Sequence, residues 1–184
     1  MIEITGNLFN PESYKTEEEF YPDAICVTTN GTLTNTGEAV MGRGCAKEIK
    51  ELNSETPTIL GKSIAENGNH VANLGYLIEN TEINIVSFPV KPGPAICLKD
   101  KINILEHMKK NYNEGEKVPG WACKAHIKII TRSAKQLVEL ADTMKWKHVI
   151  LPRPGCRNGG LAWEKVKPVL QEILDNRFYI ITWK

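Results

Sequence analysis

The chain has 184 residues and a mass of 20.6 kDa, enough for one sizeable core and short for two full domains. Lys and Arg number 23 against 22 Asp and Glu, a formal net charge of +1, which argues against a broadly basic surface for coating nucleic acid and against a charged disordered tail. The 41% hydrophobic content and mean hydropathy of −0.30 read as an ordinary soluble globule, and no apolar run approaches the roughly 18 residues of a spanning helix.

In chain order, Met1–Thr5 and Ala24–Thr28 are predicted strands, the second rich in branched residues. Residues 70–79 and 83–90 flank the polar Asn80-Thr81-Glu82 turn and predict an antiparallel hairpin. The stretch 92–120 opens on Pro92-Gly93-Pro94 and carries a helical pattern near Lys99–Lys110; it reads as an excursion from the core. Apolar residues from Ile127 to Met144 recur at steps of three and four, predicting a helix over His126–Lys145. Strands at 148–151 and 178–182 bracket a second helix at 163–174, in which Pro168 predicts a kink or a short first turn because it lacks an N–H. Strands alternating with helices predict one α/β domain over 1–184, three layers deep, around a mixed, mostly parallel sheet of about six strands.

The N-terminus lacks the basic flank and apolar run of a signal peptide. The odd count of five cysteines suits reduced thiols, so a cytoplasmic protein is expected. Cys123 and His126 have no second pair near them, so no zinc site is expected.

Half of the fourteen glycines lie in two windows, 31–44 and 155–160, each following a predicted strand and preceding a helical segment. An α/β sheet presents ligand sites at such junctions, where glycine admits positive φ and bares N–H groups near a helix N-terminus that favours phosphate. Tight turns are the plain alternative. Standard phosphate motifs fail. Residues 37–44 have the spacing of a P-loop but place Arg43-Gly44 where Lys-Ser/Thr is needed, and the 42–47 run lacks the third glycine of the dinucleotide fingerprint. Cys156 lacks the arginine six residues on that a cysteine phosphatase loop carries, since position 162 is alanine.

Several ordered segments resemble the macrodomain, an ADP-ribose-binding α/β module. They are Gly6-Asn7-Leu8-Phe9, the 25–31 run ICVTTNG, the 37–47 run GEAVMGRGCAK, Ser87–Lys91 and the 151–163 run LPRPGCRNGGLAW. The last two are most similar to a phage and bacterial branch related to ADP-ribose 1″-phosphate phosphatases and terminal ADP-ribose glycohydrolases. The resemblance implies a monomeric protein of bacterial or infected-host cytosol. It would bind ADP-ribose or its 1″-phosphate, or an ADP-ribosyl group on protein or nucleic acid, and hydrolyse the 1″-phosphate or release the group, without metal, cofactor or membrane. The alternatives are a non-catalytic ADP-ribose reader and a protein-interaction module that binds no nucleotide.

The same resemblance implies residue roles. Asn7 would contact adenine and Asn30 would hold the distal ribose, although asparagine is also a turn residue, and Thr28 would be among the ligand-binding residues. Backbone N–H groups along Gly37, Ala39, Val40, Met41, Gly42 and Gly44 would clasp one phosphate. Those along Gly155, Cys156, Arg157, Asn158, Gly159, Gly160 and Leu161 would clasp the other, with Pro154 also among the ligand-binding residues. Trp183 would stack on adenine or cap the core, and Arg157 would pair with phosphate or face water. The glycohydrolase branch uses an aspartate where Gly159 stands here, and the closest branch has aspartate at Ala162. With those carboxylates absent, Lys91 is the candidate for covalent chemistry, against the alternative of a solvated lysine at a strand end.

Overall fold

A computed structural model describes residues 1–15 and 20–183. Among the described residues, nine strands and four α-helices follow one another as β1 (Ile2–Asn7), β2 (Asn10–Lys15), β3 (Ala24–Thr29), α1 (Gly44–Leu52), α2 (Thr56–Asn67), β4 (Ala72–Tyr76), β5 (Asn84–Pro89), β6 (Ala95–Ile96), β7 (Lys117–Val118), α3 (Ile127–Met144), β8 (Val149–Pro152), α4 (Trp163–Gln171) and β9 (Phe178–Thr182). The main sheet has the order β2-β1-β9-β8-β3-β5-β4. Its five central strands run parallel, and β2 and β4 close the two edges antiparallel.

The period of two along a strand divides the interior into two cores. In β3, Ala24 and Cys26 face a core filled by Ile130, Ala134, Leu137 and Ala141 of α3 and by Val166 and Leu170 of α4. Ile25 and Val27 face the opposite core with Ile49 of α1 and Leu60 of α2. β5 is buried along its whole length, as a strand covered on both faces must be. The result is the expected three-layer arrangement. Helix α3 fits its prediction closely: His126 caps it through Nδ1, which accepts from Lys128 N at 3.2 Å, and Lys145 ends it in left-handed backbone.

Four expectations need correction. The main sheet has seven strands, because the short polar run Asn10–Lys15, which lacks apolar alternation, folds back on β1. The first hairpin strand is shorter than expected. The register shifts between Asn73 and Tyr76, where Gly75 has a positive φ and donates to Asn73 Oδ1 at 2.9 Å. Helix α4 runs through Pro168 without a break, since the proline frees only the carbonyl of exposed Glu164. No α-helix forms at 99–110. Asp100 and Lys101 adopt left-handed backbone, and Asn103 ties Leu98 N and Ile96 O, leaving two 3₁₀ turns at Lys99–Lys101 and Glu106–Asn111.

A small separate core joins Cys97, Ile104 and Val118 of the 92–120 stretch to Ala122 and Cys123 just beyond it, and β6 and β7 pair antiparallel in a two-stranded ribbon. Among the described residues no helix is long and apolar enough to cross a membrane.

Candidate functional site

The carboxyl ends of β3, β5, β8 and β9 open into a cleft of about 710 Å³, within the range of small-molecule sites. Thr28 to Asn30 at the end of β3, Val90 and Lys91 after β5, Pro152 and Arg153 at the end of β8, and Ile181 to Trp183 at the end of β9 form its floor. Strands that run parallel bring their following loops side by side, so the two glycine windows face each other across this floor.

The first window is a loop in two halves. Its outer half is a closed turn: Gly37 N donates to Thr34 O, Ala39 N to Pro57 O of α2, and Val40 N to Thr32 O. Gly61 lets α2 approach this turn, since a Cβ there would lie 2.1 Å from Gly37 O. The inner half, Gly42 to Ala46, lines the cleft and leads into α1. The N-cap Arg43 makes no side-chain cap and the first turn holds no acidic residue, so its N–H groups and the positive helix end are available to an anion.

The second window is held open by left-handed backbone at Gly155, Arg157 and Gly160. Its own carbonyls accept from Gly159 N, Gly160 N and Leu161 N. The N–H groups at the start of the 3₁₀ turn Arg157–Gly159 lack a partner inside that turn. Arginine rarely adopts a positive φ, and here it leaves the Arg157 side chain exposed on the cleft.

Of the residues singled out from sequence, Thr28, Asn30, Val40, Gly42, Gly44, Lys91, Trp183 and the run Gly155 to Gly159 line the cleft. Asn7, Gly37, Ala39, Met41, Pro154, Gly160 and Leu161 do not. Asn7 Oδ1 accepts from Phe9 N at 3.1 Å, and its neighbour Leu8 takes the place on the cleft wall. Ala39 and Met41 are buried in the core beneath α1 and α2. Asn30 braces its own loop: Nδ2 donates to Val40 O at 3.0 Å and Oδ1 accepts from Thr32 N at 2.9 Å. Trp183 is 48% exposed at the cleft edge and does not cap the core. Gly159 sits under the N-terminal approach to α3, where a Cβ would meet Ala125 Cβ at 2.9 Å.

Lys91 is not a solvated strand-end lysine. It is 9% exposed, its Nζ donates to Trp121 O at 3.0 Å, and burial, with added repulsion from Arg43, lowers its pKa from 10.5 to about 8. Cys45 and Cys156 also line the cleft, and burial pushes both thiols up, away from the nucleophilic thiolate.

Sequence reasoning missed several lining residues, among them Arg43, Cys45 and Arg153, as well as Glu48 and a whole wall. Glu48 lies one helical turn beyond Gly44 on α1 and supplies a carboxylate to the lining, a signal readable from the i, i+4 spacing. The excursion folds back to form a wall with Leu105, His107, Met108 and Trp121, and Arg43 Nη1 donates to His107 Nε2 at 3.0 Å across the mouth. Nothing in the local pattern of 92–120 announces that contact. Arg43, Lys91, Arg153 and Arg157 against Glu48 make the lining cationic, although Arg153 is also tied to Glu3 at 3.2 Å and lies over Trp163.

No protein-family model and no curated protein sequence matches the chain. Among solved structures, the macrodomain of Mycobacterium tuberculosis DarG aligns with a TM-score of 0.61 at 19% identity, over 98% of this chain and 97% of that one. The macrodomain of Thermus aquaticus DarG aligns with a TM-score of 0.62 at 21% identity, over 100% and 97%. Thermosipho africanus DarTG in complex with ADP-ribose aligns with a TM-score of 0.58 at 18% identity, over 89% of this chain and 38% of that one. With the sheet order, the facing glycine loops and these likenesses together, the chain has the macrodomain fold.

Proposed function

We propose that the cleft binds ADP-ribose and that the protein releases it from an ADP-ribosylated macromolecule or from ADP-ribose 1″-phosphate. The observation that carries this reading is Lys91, a buried amine with a lowered pKa on the floor between two loops rich in N–H groups. The diphosphate would lie against the α1 N-terminus and the Arg157–Gly159 turn, with Trp183 offering a face to adenine. One neighbour of the same fold is described as bound to ADP-ribose.

Near pH 8 a large fraction of Lys91 is neutral and carries a free lone pair. Its Nζ attacks C1″ of the distal ribose as the bond from C1″ to the acceptor breaks, and the acceptor leaves with that electron pair and takes up a proton. The ring opens to an imine between Nζ and C1″. Water then adds to C1″, and loss of the amine returns Lys91 and free ADP-ribose. The net reaction consumes one water and needs neither oxidant nor reductant.

Lys91→Ala should abolish release while calorimetric affinity for ADP-ribose changes little. Unchanged turnover removes Lys91 from the mechanism. Binding without release by the native protein leaves an ADP-ribose reader, the reading that Gly159 in place of a catalytic aspartate favours. Absence of any thermal shift in millimolar ADP-ribose refutes nucleotide binding, because a ligand at about 100 times its Kd stabilises by roughly 2.7 kcal/mol.

A further inference from the structure

Lys91 is fixed at both ends. Its carbonyl accepts from Asn69 Nδ2 at 2.9 Å, and its Nζ donates to Trp121 O at 3.0 Å. Trp121 belongs to the 3₁₀ turn Gly120–Ala122, on which the excursion returns to the core. That turn is seated by one buried hydrogen bond, from Gly120 N to Thr32 Oγ1 at 2.8 Å. The seat is close: a Cβ on Gly120 would fall 1.9 Å from Pro92 O, one residue beyond Lys91. Pro92 O in turn accepts from Gly31 N at 3.1 Å. Thr32 itself is buried and lies outside the cleft lining.

We propose that Thr32 is a positioning residue for Lys91, acting through Gly120 N–H to hold the Trp121 carbonyl against the Lys91 amine, and that the 92–120 excursion serves to present this amine to the cleft. The chemistry follows from the geometry of an amine. With one N–H directed at Trp121 O, rotation about the Cε–Nζ bond is restricted, and in the neutral form the lone pair is held away from that carbonyl. A lysine released from the carbonyl regains its rotamers and reaches water, so it holds its proton to higher pH and meets C1″ in fewer productive orientations. Thr32 is matched to this role because its hydroxyl oxygen accepts from a buried N–H at 2.8 Å.

The inference rests on Lys91 acting in the cleft, and the test separates the two. The Lys91 Cε resonance, assigned by its loss in Lys91→Ala, is titrated from pH 6 to 11 in the native protein, in Thr32→Val and in Thr32→Ser. The native and T32S proteins should show the same midpoint, near 8. T32V, which keeps the shape and loses the acceptor, should show a midpoint at least half a pH unit higher. Release of ADP-ribose by T32V should fall at least tenfold in kcat with affinity held within about threefold, and T32S should restore it. A T32V midpoint and turnover equal to native overturn the inference even when Lys91→Ala is inactive. A shifted T32V midpoint with an active Lys91→Ala leaves the positioning intact and removes the catalytic reading instead. The native protein carries a check that needs no variant: the Gly120 amide hydrogen should exchange as slowly as those of the central strands, and exchange at the rate of an open loop overturns the proposal whether or not T32V folds.

Discussion

Replacing Lys91 by methionine removes a buried amine while keeping an unbranched side chain of similar length, and its consequence depends on pH in a calculable way. In the unfolded chain the lysine keeps its proton up to about pH 10.5, whereas in the folded protein it releases it near 8. Between those values the unfolded state binds more protons, so raising the pH favours the native protein over its own unfolded form. The displacement corresponds to about 3 kcal/mol in total. Below pH 8 the native protein holds a poorly hydrated ammonium and lacks that stabilisation; by pH 10.5 the penalty has gone. K91M has no such group, so the stability of the native protein relative to K91M should rise by about 3 kcal/mol from pH 7 to pH 10.5, or on the order of 8 °C in Tm for a chain of this size.

The absolute difference at any single pH also contains the Trp121 carbonyl, which loses its donor in K91M at about 1–3 kcal/mol. The pH dependence isolates the amine, because groups remote from Lys91 titrate alike in both proteins. Cys123 and Arg43 both act on Lys91, and burial raises the Cys123 thiol's pKa. Urea unfolding at half-unit steps of pH measures the effect. Two stability curves that stay parallel within about 0.5 kcal/mol would refute a buried, perturbed Lys91, and with it the main support for amine chemistry in the cleft.

Gly61→Ala tests the seat of the first loop. Helix propensity alone would make it stabilising by about 1 kcal/mol, but a Cβ 2.1 Å from Gly37 O should instead destabilise by about 1–3 kcal/mol in urea unfolding. A neutral or stabilising result would show that α2 does not abut the loop. Asn30→Ala removes two hydrogen bonds that tie the loop to itself and should destabilise by about 1–2 kcal/mol. It should also weaken ADP-ribose binding measured by calorimetry, and unchanged values for both would leave Asn30 without a bracing role.

Much of the architecture was legible in the chain because it is written at short range. The three- and four-residue steps of Ile130, Ala134, Leu137 and Ala141 define α3 to within a residue at each end. The branched run at 24–28 defines a strand buried on both faces, and the glycine windows mark where the loops leave the sheet. Polar strands escaped that logic. The run Asn10–Lys15 carries no apolar alternation and becomes β2 through pairing with β1.

The site divides along the same line. Residue types that admit positive φ, bare N–H groups and end strands at a common edge are properties of local sequence, and they located the two loops. Which N–H groups stay open was decided by the fold, because Ala39 N meets Pro57 O of α2 and Leu161 N meets Gly155 O only once the loops close. The state of Lys91 was decided there too. A lysine after a strand has an ordinary pKa until a turn from 30 residues downstream covers it, brings a carbonyl to 3.0 Å and excludes water. Sequence by itself determined the layers and the place of the cleft, since periodicity and backbone conformation are local. Tertiary structure alone decided the surroundings of Lys91, since its burial and its hydrogen bond arise only where the Gly120–Ala122 turn, held to Thr32, packs over it.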